Sequence, residues 1–298
     1  MKLQYPVLFV ALLGHQTASA SIDIVFDYQY DSGYFSSTQK NVLNAAAEVF
    51  ESRLADNLTG FTSAGSDQFT AYFFNPSNGL EISKSGFSVA ANQIIVYVGA
   101  YDLGSTILGE GGPGGYYVEA SQAFIDNSTS RGQAGALDTP PTDFGPWGGS
   151  LAFNNTTSFY FDNDTSTDES FTGYDFYSVA VHELGHLLGF GTADSFSNKI
   201  VNGMFTGANV TALTGENQPV PGDGSHWKDG LVYGNQEAAM TPSIAANTRK
   251  RFTELDFAAL ADTGWEVSVS PVPEAGTWGM LLAGLGLLGW RMRVRART

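Results

Sequence analysis

The chain has 298 residues, of which 43% are hydrophobic and 15% are charged. This length and balance allow a sizeable core and exclude intrinsic disorder. The formal net charge of −16 argues against a nucleic-acid partner, because an acidic surface repels phosphate backbones. The absence of cysteine excludes a disulfide framework, a thiol nucleophile and a thiolate metal site.

The first 20 residues have the three-part layout of a signal peptide. Lys2 provides the positive charge, residues 7–13 form the apolar stretch, and Ala18-Ser19-Ala20 is a small-x-small cleavage site. We therefore predict cleavage after Ala20 and export of a mature chain that begins at Ser21. The alternative is that this segment is an N-terminal strand or helix of the core.

The pattern from residue 22 to residue 99 predicts an α/β fold. Residues 22–30 alternate apolar and polar side chains, which indicates a strand. Residues 38–58 repeat apolar side chains at helical spacing, and residues 69–74 and 93–99 are β-rich runs. The order of strand, helix, strand and strand is typical of an α/β domain.

Residues 104–149 are rich in glycine and proline and are predicted to be loops. The glycine-rich stretch 109–115 does not indicate a phosphate-binding loop, since it lacks the Lys-Ser/Thr pair and opens no helix. Residues 147–153 and 159–161 are predicted to be short strands.

An acidic loop comes next. Asp162-Asn163-Asp164, together with Asp168, has a passing likeness to a calcium-binding loop. The loop glycine and the closing glutamate of an EF-hand are absent. A solvated acidic loop is therefore the favoured interpretation, and bound Ca²⁺ is the alternative.

Residues 175–190 carry the chemistry and are predicted to form a helix. His182 and His186 are four residues apart, so they lie one turn above each other on one face and can bind the same Zn²⁺. Glu183 lies beside them, where it can take a proton from a metal-bound water and pass it to a leaving amine. Gly189 and Gly191 then end the helix.

Histidine is scarce, which narrows the choice of a third metal ligand. The chain has four histidines, and His15 lies in the predicted signal peptide. The mature chain therefore keeps His182, His186 and His226. A catalytic zinc site needs three protein ligands and one open position, so this number is just sufficient.

The motif resembles that of the metzincin-type zinc peptidases, which reads His-Glu-x-x-His-x-x-Gly-x-x-His/Asp. The match holds through Gly189, but Thr192 occupies the position of the third ligand. The leishmanolysin-like branch has a long insertion before its third histidine, and this arrangement favours His226 as that ligand. Asp194, two residues beyond the usual position, is the alternative.

The same branch has a methionine turn below the zinc soon after its third histidine. The stretch Ala239-Met240-Thr241-Pro242 follows His226 here, so the resemblance implies that Met240 is that methionine. Residues 249–265 resemble the closing helix of matrixin-like domains, whose residues are expected to pack. The alternative for Met240 is ordinary core packing.

The resemblance implies a metzincin-like α/β (α+β) domain over residues 21–267. Such a domain has a twisted, mixed but mostly parallel sheet above the motif helix, and a loop-rich C-terminal part. One edge strand of the sheet pairs with an extended substrate. Residues 147–153 are the expected edge strand, because β-addition requires an unpaired edge.

The C-terminal end resembles the PEP-CTERM sorting signal of Gram-negative bacteria. Val272-Pro273-Glu274-Ala275 departs from the usual motif at Ala275, where a second proline is common, and lies in a linker over residues 268–276. Residues 277–298 comprise an apolar run of helix-forming length and four arginines. The resemblance implies transient anchoring in the inner membrane, recognition by an exosortase, and placement at the cell surface or outside the cell. The alternative is a plain C-terminal anchor or a buried helix.

These features together predict a secreted zinc metalloendopeptidase that acts on a protein or peptide substrate, with one catalytic Zn²⁺ and Glu183 as general base. A non-enzymatic matrix or surface protein with a structural metal site is the first alternative. A zinc hydrolase that acts on something other than a peptide is the second.

Overall fold

The computed structural model describes residues 22–268, except residues 163, 166, 168 and 223. The predicted signal peptide and the predicted C-terminal helix lie outside the described residues. Within residues 22–268, apart from those four positions, no helix is long and apolar enough to cross a membrane.

The secondary structure alternates strands and helices in the first half of the chain and consists of short elements in the second half. A 3₁₀ helix spans Ala134–Leu137. The other elements, in chain order, are β1 (Asp23–Asp27), α1 (Ser37–Glu51), β2 (Gln68–Phe74), β3 (Glu81–Lys84), β4 (Gln93–Tyr101), β5 (Gly109–Pro113), β6 (Gly115–Glu119), α2 (Gln122–Ser130), β7 (Gly148–Asn154), β8 (Phe159–Tyr160), β9 (Tyr174–Asp175), α3 (Phe176–Leu187), α4 (Asp194–Ser197), β10 (Ile200–Val201), β11 (Met204–Phe205), α5 (Ala208–Thr214), β12 (Gln218–Pro219), β13 (Val232–Tyr233), β14 (Gln236–Glu237) and α6 (Glu254–Thr263).

The main sheet has the strand order β1-β4-β7-β5. The pairs β1–β4 and β4–β7 are parallel, whereas β5 runs antiparallel to β7 and forms one edge. Ile94, Val96 and Val98 of β4 are fully buried on one face of this sheet. A sheet covered on both faces needs such apolar strands, so the β-rich run predicted around residue 94 is confirmed.

The predicted edge strand over residues 147–153 is wrong in its position, because β7 lies inside the sheet between β4 and β5. The edge is β5, in a region that was expected to be loops. A Cβ atom at Gly149 would collide with the carbonyl oxygen of Gly112, so the two strands approach this closely only because residue 149 is glycine. Three residues of β5 are glycine and one is proline. The strand therefore lacks the alternation of apolar and polar side chains from which a strand is predicted.

Helix α1 packs against the face of the main sheet that α3 also covers. Ser36 and Gln39 form a capping box at its start, and Val42, Leu43 and Phe50 are among its fully buried residues. The helix ends at Glu51, earlier than predicted, because Ala55 donates a backbone hydrogen bond to Glu266 instead of continuing the helix. The first and last parts of the described chain therefore lie side by side.

A second sheet, with the order β3-β2-β6, covers the other face of the main sheet. Phe69 and Phe73 of β2 form a separate apolar cluster with Tyr97 and Trp147. Tyr97 alternates with Val96 and Val98 along β4, so it points to the opposite face of the main sheet. The main sheet therefore lies between the helical layer and this smaller sheet, and the α/β class is confirmed.

The start of α3 is held by a buried ion pair. Asp175 caps the helix by accepting a hydrogen bond from the Ser178 N–H, and both of its oxygens bind the Arg249 guanidinium at 3.0 Å. Arg249 also contacts Asp162 at 3.0 Å. Asp162 is only 7% exposed, so the interpretation as a solvated loop is wrong for this residue. Asn163 and Asp168 lie outside the described residues, and calcium binding stays a prediction.

One buried carboxyl opposes folding at neutral pH. Asp56 is 1% exposed, and only one of its oxygens accepts a hydrogen bond, from the Glu266 N–H at 3.0 Å. Burial raises its pKa to about 6, and the nearby charges of Glu266 and Asp143 act in the same direction. Ionisation of this carboxyl therefore costs more free energy in the folded than in the unfolded chain.

We expect Asp56→Asn to stabilise the protein at pH 8 but not at pH 4. The wild-type pKa is higher in the folded than in the unfolded chain, so wild-type stability decreases as the pH rises from about 4 to about 6. A shift of this size corresponds to at most about 3 kcal/mol above pH 6. Thermal melting of both proteins across this pH range measures the difference.

The matched control is Asp102→Asn. Asp102 also accepts one backbone hydrogen bond, from Gly104, but it is exposed. We expect this variant to show no pH-dependent gain. A gain for Asp56→Asn of equal size at pH 4 and pH 8 would contradict the assignment.

Candidate metal centre

Helix α3 places the two histidines of the motif on one face. His182 and His186 are one turn apart, and the helix between them is buried on nearly all sides. Its packing residues include Val181, Leu184 and Leu187, which are fully buried in the main core. The rigid helix therefore sets the spacing of the two imidazoles.

His226 reaches the same place from a loop 40 residues further along the chain. The next residue, Trp227, is fully buried, and its backbone N–H donates to the Met240 carbonyl at 3.0 Å. Gly191 allows the loop to come this close, since a Cβ atom there would collide with the Ser225 backbone. Its φ of +71° also favours glycine.

The Nε2 atoms of the three histidines converge on one point. The distance is 3.0 Å between His182 and His186, 3.0 Å between His186 and His226, and 3.2 Å between His182 and His226. Zn–N bonds of about 2.0 to 2.1 Å place neighbouring nitrogens of a regular tetrahedron about 3.3 to 3.4 Å apart. The three nitrogens therefore fit one face of a zinc tetrahedron with its fourth position open.

The outer ring nitrogens determine which nitrogen carries the proton. His182 Nδ1 lies 2.8 Å from the Ala239 carbonyl oxygen, and His186 Nδ1 lies 2.9 Å from the Phe190 carbonyl oxygen. A carbonyl only accepts, so Nδ1 is the donor in each ring and Nε2 keeps its lone pair. Lone pairs that face each other at 3.0 Å repel unless a cation lies between them.

The environment also keeps His182 neutral. Burial lowers its pKa well below the ordinary value, and the adjacent His186 acts in the same direction. A histidine must be neutral to bind a metal. A donor set of three imidazole nitrogens suits Zn²⁺.

Glu183 lies next to the histidine cluster and is 5% exposed. Burial, and then the charge of Glu110, raise its pKa to about 8. No other group in the described part of the chain hydrogen-bonds to its carboxyl, which lines the cleft together with the three histidines. A carboxyl with a pKa near neutrality and no fixed partner is able to accept and release a proton.

The two other residues considered for the third ligand position lie outside the cluster. The Thr192 hydroxyl donates to the His186 carbonyl at 2.6 Å, so it completes the end of the helix. Asp194 starts α4 and lines a separate small cavity with Asp143. Among the described residues, His182, His186 and His226 alone form a group of three side chains that could hold a metal ion.

Met240 lies under the motif helix, and its role as a methionine turn stays a prediction. It is fully buried, and a Cβ atom at Gly185 would come within 2.5 Å of its sulfur. Gly185 therefore leaves room for Met240 between the two histidines of the motif. The neighbouring Ala239 carbonyl receives the His182 hydrogen bond, so the methionine turn also orients a ring of the cluster.

Asp256 connects the metal centre to the closing helix, a role that was not predicted. It is fully buried in α6, and one oxygen accepts from Trp227 Nε1 at 2.9 Å while the other accepts from the Ala239 N–H at 3.0 Å. It also accepts from the N–H and hydroxyl of Thr253 at the start of its own helix. This carboxylate therefore fixes Trp227, which follows His226, and Ala239, whose carbonyl oxygen accepts from His182.

Lys250 strengthens the same turn from the other side. Its ammonium donates to the Thr241 hydroxyl at 2.6 Å and to the Ser243 carbonyl, and contacts Glu237 at 3.0 Å. The side chain is almost fully buried. Its charge is neutralised within the turn and does not act as a free cation in the cleft.

The metal centre opens into a cleft of about 680 Å³. One wall is the edge strand β5, and the apolar side chains of Leu108, Val179 and Ile244 also line it. Cβ atoms at Gly109 and Gly111 would press on Glu183, so the strand passes directly above the carboxyl because these two residues are glycine.

We expect Asp256→Asn to weaken metal binding by about tenfold to a hundredfold, the range for residues that orient metal ligands. The amide can accept at only one of its two heavy atoms, so at least two donors lose their partner, and we also expect lower stability. Zinc affinity by chelator competition on folded protein measures the first effect.

The matched control is Asp262→Asn in the same helix. Asp262 is also buried and accepts from Asn209 and from the Val210 N–H, away from the candidate metal centre. We expect it to lose stability but to keep its zinc affinity. Equal zinc affinities for the two variants would show that Asp256 is only structural.

Comparison with known proteins identifies the C-terminal segment alone. Residues 271–296 match the PEP-CTERM protein-sorting motif. No curated protein and no solved structure matches the chain. The motif implies recognition by an exosortase and a protein that is exported with a C-terminal sorting tail, which is consistent with placement at the surface or outside of a Gram-negative cell.

Proposed function

We propose that this chain is an exported zinc-dependent endopeptidase. The observation that carries the proposal is the convergence of three histidine Nε2 atoms within 3.2 Å of each other, beside a buried carboxyl that opens on the same cleft. His182, His186 and His226 would hold the metal, and Glu183 would act as the general base. This assignment agrees with the metzincin-like order of motif, distant histidine and methionine turn.

The reaction is the hydrolysis of a peptide bond. Zn²⁺, when bound, lowers the pKa of a water and polarises the scissile carbonyl. Glu183 takes a proton from the attacking water as the new C–O bond forms. It returns that proton to the nitrogen as the C–N bond breaks, so the carboxylate is regenerated.

The edge strand β5 supports a peptide as the substrate. An extended peptide adds to a sheet through the backbone N–H and C=O groups of an unpaired edge. β5 provides such an edge in the described structure, since it pairs only with β7. Its glycines lie directly above Glu183, so a peptide paired with β5 would pass across the metal centre.

We expect Glu183→Gln to bind zinc as the wild type does and to lose peptidase activity by at least about a hundredfold, since general-base catalysis contributes about 10²- to 10⁴-fold. Zinc content and a chelator-sensitive casein assay measure the two properties. Glu119→Gln, an exposed residue outside the cleft, is the control.

Two results of that experiment would count against the proposal. Casein cleavage by Glu183→Gln at the wild-type rate would rule out Glu183 as the base. A wild-type protein that binds zinc but cleaves no peptide would favour the alternative of a surface protein with a structural metal site.

We expect His226→Ala to lose most of its zinc, because two ligands four residues apart do not complete a three-ligand site. Metal analysis of the purified protein measures this loss. Asp194→Asn is the control and should keep its zinc. Full zinc retention in His226→Ala would exclude His226 as a ligand, and zinc loss in Asp194→Asn would restore the alternative.

A further inference from the structure

We propose that Glu110 makes this enzyme selective for substrates with a lysine or arginine at the position that pairs opposite it. The proposal rests on the peptidase function proposed above and names its substrate class. Glu110 is the one side chain longer than proline on the strand that forms the cleft edge. Nothing else on β5 is able to distinguish one peptide side chain from another.

The hydrogen bonds between β5 and β7 determine which backbone groups face the substrate. The Asn154 N–H donates to Leu108 and the Gly114 N–H donates to Gly148. Hydrogen-bonded and non-hydrogen-bonded pairs alternate along an antiparallel ladder. Glu110 therefore bonds to β7 through its backbone, whereas the backbone groups of Gly109 and Gly111 point to the open edge.

Pro113 also belongs to the set that points outward, and it has no N–H group. An incoming peptide consequently finds its donors at Gly109 and Gly111, on either side of Glu110. This arrangement places one peptide residue directly opposite Glu110. In an antiparallel pair, the Cβ atoms of such residues are about 4.5 to 5.5 Å apart, and a parallel peptide would be offset by about one residue.

The Glu110 side chain lies on the face of the sheet away from Glu183. Along a strand, successive side chains alternate between faces, and Gly109 and Gly111 face Glu183. Glu110 is exposed, and its neighbour on β7 is Ala152, which is too small to cover it. Among the described residues, Tyr101 alone hydrogen-bonds to the carboxylate, donating from its hydroxyl to Oε1 at 2.5 Å.

A second cavity of about 770 Å³ lies at this side of β5. Glu110 and Glu81 provide its two carboxylates, and Tyr72, Phe74 and Tyr101 provide aromatic rings. No lysine or arginine is among the described residues that line it. Carboxylates beside aromatic faces suit a guanidinium or ammonium group, through ion pairing and cation–π contact.

The expected size of the preference follows from the exposure of Glu110. Exposed cross-strand ion pairs contribute roughly 0.2 to 1 kcal/mol, which corresponds to at most about a fivefold effect. The nearby rings and the second carboxylate act in the same direction. We therefore expect a preference of about fivefold for lysine or arginine over glutamate, and it should weaken at high salt.

The test uses the full chain loaded with zinc and a peptide pool that varies one position at a time among lysine, arginine, glutamine and glutamate. The quantity measured is the ratio of kcat/KM for the basic and the acidic peptide. A ratio is used so that any effect of the substitution on the absolute rate, common to both peptides, cancels. The proteins compared are the wild type, Glu110→Gln, Glu110→Lys, and the control Glu119→Gln on the neighbouring strand β6.

We expect a basic preference of about fivefold at one position in the wild type and in Glu119→Gln, a ratio near one in Glu110→Gln, and a reversed preference in Glu110→Lys. A wild type that cleaves peptides without this preference, or variants that keep it, would overturn the role of Glu110 and leave the peptidase function intact. A wild type that cleaves none of the peptides would overturn both proposals.

Discussion

The candidate metal centre depends on one constraint, which is that a loop histidine must meet two helical histidines from a distance of 40 residues in the chain. The three Nε2 lone pairs repel each other, so the surrounding structure has to hold them together before a cation is present. Three buried interactions do this. The Trp227 N–H donates to the Met240 carbonyl, and the Ala239 carbonyl accepts from the His182 ring. Asp256 of α6 accepts from both Trp227 and Ala239 and so links their segments to this helix. Helix α6 is consequently part of the candidate metal centre.

Glycine also permits the close packing of chain segments around this centre. Gly185 leaves space for Met240, Gly191 for the Ser225 backbone, and Gly109 and Gly111 for Glu183. A methyl group at any of these positions would displace a ligand, the proposed base or the strand above it. The turn at Met240, the motif helix and the edge strand form three layers around the centre. They pack at distances that only glycine permits.

Local features could be predicted from the sequence, whereas features that depend on distant segments could not. The spacing of His182 and His186 is a property of one helix, and α1, β2, β4 and α3 follow from hydrophobic periodicity. His226 could be inferred because histidine is scarce. β5 was missed since a glycine strand has no periodicity, and the position of β7 was wrong for the same reason. Asp256 was expected only to pack, because its partners come from three separate segments.

The distribution of charge links the fold to the chemistry. The buried cations near the centre are already neutralised, Arg249 by Asp175 and Asp162, and Lys250 by Glu237. Lys250 is the one lysine or arginine among the described residues that line the cleft, and the carboxylate of Glu110 lies at its edge. An uncompensated negative cleft attracts cations from solution and concentrates them at the site. In the proposed function, this field would favour a metal ion at the histidines and a basic group beside the edge strand.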